Sequence, residues 1–433
     1  MTDDLLVSRI DRLVENLMRV DNSLERLQHW QRELRAKGEI TLPVADDMWG
    51  HLNKHVQNQF KRQQTDLKAL RDEITGAPEG DGPAGPTARP GARRRRTNPW
   101  AAYSKLQRDS AQLFEECLEF IGGLAFRRTG LDDARMCELA DVLILSCARE
   151  SYAESWNFLT VPSLRDVVTK SRARLSRIRF PEWTVWTLPF TAYPLGHEVI
   201  EEHDIAALFR ESVAKWQRKR HVHVLLAEIF GAYIMGPAYA HAGIQLRFDP
   251  ASAYAKDAEH PATASRVHVV LQALKTMEGA QEANWAGRVE ALEHQWTRAR
   301  DEASRRRTMP DATEMLDELV EEALRHFEYT LNRPAQYAPA DWLQAQNLVL
   351  KWSEQAAMSE APDAISTEPP TLTKPRDVLN AAWLLRVERP ADVPRIETAA
   401  SGMLWRILGG KTAGPGALVG AGQKSQSPIP ASP

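Results

Sequence analysis

His197, Glu198 and Glu201 fall in the run Pro194-Leu195-Gly196-His197-Glu198-Val199-Ile200-Glu201-Glu202-His203. On a helix, residues four apart project from one face, so His197 and Glu201 pair up and Glu198 reaches the same side. An imidazole and a carboxylate so placed are donors for zinc or another divalent metal. His203 does not join them, because six residues turn a helix through about 600° and leave it roughly 120° away. Glu201 therefore stands where a second histidine would complete an HExxH zinc helix. A set of two carboxylates and one histidine is chemically sound, although it favours harder metals.

The second carboxylate of such a set follows in His221-Val222-His223-Val224-Leu225-Leu226-Ala227-Glu228-Ile229-Phe230-Gly231-Ala232, where Glu228 is the lone acid. A carboxylate in so apolar a helix needs a metal, a base or hydrogen-bond donors. The chain between Glu201 and Glu228 is long enough for a second helix to return beside the first. Glu259-His260-Pro261 then leads into Arg266, Val267, Val270 and Leu271, an amphipathic helix with a cation in its first turns. Two readings of Glu228 stay open on residues alone. It is a metal ligand, or half of a structural ion pair with Arg266 or His260.

In this order the motifs resemble those of the gluzincin metallopeptidases, most of all the branch containing the HtpX-type and CAAX prenyl proteases. The resemblance is confined to the stretch from Pro194 to Leu271. It implies a helical metallopeptidase core with zinc, or another divalent ion, as cofactor. It implies His197 and Glu228 as metal ligands, with Glu201 at the position of the remaining one. Glu198 would be the general base for the attacking water. His260 and Arg266 would match the segment that closes the site. Two positions depart from the pattern. Glu201 replaces the second ligand histidine, and Ala232 replaces the aspartate that orients a ligating histidine. The departures agree with each other, because without the histidine nothing remains to orient. They favour a degenerate centre with no cofactor, in a protein that acts as a scaffold or interaction partner. The alternatives are an active metal-dependent peptidase using His197, Glu201 and Glu228, with Glu198 as base, and an all-helical interaction protein unrelated to peptidases.

The elements that would position these residues read as helices, so the expected class is mainly α. Ile10, Leu13, Leu17, Val20, Leu24 and Leu27 recur at spacings of three and four, an a/d stripe. A second helix carries Met48, Leu52, Val56, Phe60, Leu67, Leu70 and Ile74. Residues 1–75 thus form an N-terminal helical hairpin or coiled coil. Residues 76–99, rich in Gly, Pro and Arg, read as a disordered linker. Residues 100–300 form the metallopeptidase-like core, helical from Trp100 to about Arg179, with Ser163 capping a helix through Ser176. Within the core, 180–190 reads as extended, an edge strand of a small sheet. Residues 301–408 form a helical C-terminal region, and 409–433 a disordered tail.

Composition narrows the function class. The 433 residues carry a net charge of −3, which argues against a dedicated nucleic-acid binder. Three cysteines without a CxxC suit a reducing cytosol, and the start MTDDLLVSRI lacks the features of a signal peptide, so a cytoplasmic protein is expected. The most apolar run, Val222 to Ile244, contains His223, Glu228, Pro237 and His241, which points to a buried helix instead of a membrane span. A protein partner is expected through 1–75 or the C-terminal helices, with homo-oligomerisation through the heptad helix as a variant. The 13 tryptophans are in excess of ordinary usage and read as helix-packing anchors.

Overall fold

The computed structural model describes residues 6–15, 17–18, 45–75, 98–128, 136–151, 159–163, 175–179, 184–209, 219–255, 260–278, 285–303, 313–331, 335–358 and 365–409. They are mainly helical. The expected linker and tail, apart from 98–99 and 409, lie outside them, as do Val20, Leu24 and Leu27 of the heptad stripe. The chain divides into two compact units. One takes in Met1–Ala125, Asn157–Val161 and Lys170–Leu175, and the other Phe126–Trp156, Pro162–Thr169 and Ser176–Pro433.

In the first unit, helical residues 6–15 and 17–18 pack with α1 (Ala45–Thr75) and α2 (Pro99–Arg128). Asn98 caps α2, accepting from the Trp100 N–H at 3.0 Å, with Pro99 at the first helical position. Leu6, Ile10 and Leu17 are buried against Phe60, Leu67 and Leu70, and the heptad periodicity accounts for this seam. Tyr103 and Leu113 of α2 belong to the same core, so the unit takes in more than the hairpin of 1–75. Arg71 meets Asp11 at 2.9 Å across the seam.

The second unit begins with α3 (Met136–Glu150). Leu159–Ser163 and Leu175–Arg179, each with residues in both units, are strands that pair into a two-stranded sheet, where helix is expected from the sequence; residues 164–174 of the helix expected from Ser163 to Ser176 lie outside the described residues. Val185–Thr191, expected to be extended, is a 3-10 helix. Its threonine hydroxyls explain this second difference. Thr187 donates to the Thr184 carbonyl at 3.0 Å and Thr191 to the Leu188 carbonyl at 2.6 Å, tightening each turn locally.

From there the unit is helical: α4 (Ala192–Glu202), α5 (Ile205–Leu208), α6 (Lys219–Met235), α7 (Pro237–Ala242), α8 (Thr263–Glu278), α9 (Ala286–Ala303), α10 (Thr313–Thr330), α11 (Pro339–Met358), α12 (Pro375–Glu388) and α13 (Val393–Gly409). From Val224 to Met235 α6 is buried on every side, and it sits at the centre, with α4, α8 and α10 packed on it. α11, α12 and α13 pack in succession. Trp186, Trp285, Trp296, Trp342, Trp352 and Trp383 are all buried, and Trp405 is half-buried. Each buried indole withdraws about 150–250 Å² from water, so these side chains anchor the helix contacts. Among the described residues, no helix is long and apolar enough to cross a membrane.

Candidate functional site

A glycine sets the spacing of the two helices that carry the sequence motifs. At Gly196 of α4 a Cβ would stand 3.0 Å from the Phe230 ring and 3.1 Å from the Ala227 carbonyl of α6, so a bare backbone lets the helices close up. His197 is thereby buried with its ring 4.9 Å from that of His223 and 4.6 Å from that of Tyr193, one turn earlier.

Glu228 is fully buried in α6. Arg266 of α8 donates to its Oε1 from Nε at 2.9 Å and from Nη2 at 2.5 Å. The Tyr239 hydroxyl of α7 donates to Oε2 at 2.6 Å. Arg247, at the end of a π-helical turn (Gly243–Arg247), places Nη1 3.5 Å from Oε1. Its guanidinium lies 4.4 Å from the Tyr193 ring centre, and that of Arg266 lies 5.0 Å from the Phe248 ring centre.

The position of Tyr239 depends on a chain break between α6 and α7. Gly236 there has φ +64° and ψ −152°, a conformation open essentially to glycine alone. Asn380 of α12 holds both sides of the break. Its Nδ2 donates to the Met235 carbonyl at 2.9 Å, and its Oδ1 accepts from the Ala238 N–H at 2.8 Å.

Electrostatics follow from burial and these neighbours. Burial pushes the Glu228 carboxyl up, but Arg266, Arg247 and the hydrogen bonds from Tyr239 and Arg266 outweigh it and hold the group below its ordinary value. Glu228 is therefore ionised. Burial and then the Glu228 charge drive Tyr239 well upward, which keeps it a donor. Burial also pushes Tyr193 up to about 12. His197 is held well below its ordinary value, by burial first and then by His223, Arg247, Arg266 and His260. Its imidazole is neutral, and among the described residues its Nε2 is buried with no hydrogen-bond partner.

The sequence-predicted residues are thus only partly brought together. His197 and Glu228 face the same buried centre, with Arg266 in it and His260 near enough to act on His197. Glu198 is half-buried. Glu201 lies in the last turn of α4 and is exposed. Ala232 is buried. Among the described residues, no group of three His, Cys, Asp or Glu side chains is placed to hold a metal ion. Both Glu228 oxygens already accept strong hydrogen bonds, and two guanidinium groups stand beside them. A divalent cation at Glu228 would have to displace one cation and face another, so Glu228 as placed does not fit a metal ligand.

Arg247, Tyr239 and Tyr193 belong to the centre although no motif in the sequence singles them out. One signal was present. Arg247 is a cation three residues past the most apolar run of the chain, where a buried charge needs a nearby acid.

The chain matches no protein-family model, and comparison with curated proteins and with solved structures finds no significant similarity.

Proposed function

We propose that the protein is a metallopeptidase-like helical scaffold without catalytic activity, working through association with other proteins. One observation carries this reading. The acid that would bind a metal, Glu228, is committed to Arg266 and Tyr239 in a sealed centre. A buried pair of this kind makes a rigid core and resists an incoming ion, which would have to strip away its hydrogen bonds. Glu201, the remaining acid of the ligand set, is exposed in the last turn of α4. The partner surfaces lie on residues 1–75 or on the C-terminal helices.

The competing reading, an active peptidase, draws on His197. A neutral imidazole with a buried nitrogen lacking a partner is the form that ligates metal or accepts a proton. The two separate at Glu198. In a peptide-hydrolysis assay of the purified chain supplied with zinc, wild type and Glu198→Gln are expected to behave alike, and the variant to keep every association of the wild type. Hydrolysis by the wild type that Glu198→Gln abolishes would establish the peptidase instead.

A further inference from the structure

α11 and α12 begin in the same way. Each has proline at its first position and aspartate at its third, Pro339 with Asp341 and Pro375 with Asp377. Asp341 accepts from the Ala338 N–H at 3.2 Å, and Asp377 Oδ2 accepts from the Lys374 N–H at 2.8 Å. The two starts meet at one ammonium, because Lys374 Nζ lies 2.7 Å from Asp341 Oδ1.

The second oxygen of Asp377 has no such support. Among the described residues, Asp377 Oδ1 and the Tyr337 hydroxyl are both buried without a hydrogen-bond partner. A charged oxygen in that position lacks a donor, whereas a neutral carboxyl tolerates it. The same turn of α12 secures the Gly236 break. Arg376 Nη1 donates to the Ile234 carbonyl at 3.0 Å and to the Ala335 carbonyl at 2.7 Å, and Nη2 meets Glu150 of α3 at 2.9 Å. Asn380 spans the break one turn further on.

The geometry points to Asp377 as a proton-operated latch. Protonated, it lets the first turn of α12 grip the α6–α7 break. Ionised, it leaves a charged, buried oxygen that no donor among the described residues reaches, beside an ammonium already paired with Asp341, and the grip slackens. The charged and titratable groups acting on it are Asp341 from α11, Lys374 and Arg376 beside it, and Tyr337 ahead of α11, with Glu150 behind Arg376. Burial raises the Asp377 carboxyl to about 7 and Asp341 adds to this, against the Lys374 hydrogen bond and the Lys374 and Arg376 charges. A folded-state value raised from 3.8 contributes stability that is fully present below 3.8 and lost as pH rises through about 7.

The test compares wild type with Asp377→Asn, which mimics the neutral acid. The ratio of their unfolding constants, wild type over variant, is expected to rise about tenfold between about pH 6 and about pH 8.5. Taking the ratio cancels the buried histidines, which act on both chains alike. A flat ratio overturns the latch. Should Asp377→Asn fail to fold, isotope-edited infrared spectra of aspartate-labelled wild type decide. A protonated aspartate carboxyl present near pH 6 and gone by pH 8.5 supports the latch, and its absence near pH 6 overturns it.

Discussion

Glu228→Gln is expected to cost the fold about 3–5 kcal/mol, read from denaturant unfolding at neutral pH. The substitution keeps the shape of the side chain but removes the negative charge that two guanidinium groups, Arg266 and Arg247, share. Arg266 is nearly as buried as Glu228, so water cannot take over its solvation. The loss measures an abandoned buried cation far more than the net worth of the pair. Glu228→Leu combined with Arg266→Met should therefore cost less than the two single losses added together. The acid limb follows from the depressed Glu228 value. Its stabilisation is present above the ordinary carboxylate range and lost as pH falls through the lower folded value. In Glu228→Gln that limb should flatten. A loss below about 1 kcal/mol would mean that the centre is open to water.

Gly236→Ala is the second large effect expected. The backbone at φ +64° and ψ −152° costs a residue with a Cβ about 1–3 kcal/mol. A Cβ there also runs into the Tyr337 ring. Moving that ring disturbs its stacking on Trp285, 6.0 Å away, and adds about 1–3 kcal/mol of overpacking. Gly287 is the control. A methyl group added there would meet nothing within 4 Å, and its φ is not left-handed, so Gly287→Ala should change stability by less than about 1 kcal/mol. Equal effects at the two sites would show that the break does not need its glycine.

Helix by helix, much of the fold is readable from periodicity and caps. Pro375 with Asp377 announces α12, and the apolar pattern of Leu316, Leu319, Val320, Leu324 and Phe327 announces α10. Non-helical pieces are harder to read. At Val185–Thr191, threonine hydroxyls bonding to carbonyls three residues back decide for a tight turn, and alternation of residue type carries no trace of that. The candidate centre divides in the same manner. A single acid in an apolar helix must have a partner, which makes Glu228 conspicuous, and Arg266 is among the groups available to it. The fate of Glu201 depends on α4 ending at Glu202, which leaves its last acids in solvent. The roles of Tyr239 and Arg247 depend on a chain reversal at Gly236 and a π-helical turn, both products of tertiary packing.

An arginine, and not a metal, is on this account the cation for which Glu228 is buried. Calorimetric titration of zinc into the purified wild-type chain tests that claim most directly, with His197→Ala and the surface variant Glu201→Ala beside it. The expected result is no saturable site in the wild type that either substitution removes. One zinc bound per chain, and lost on replacing His197 or Glu201, would contradict it.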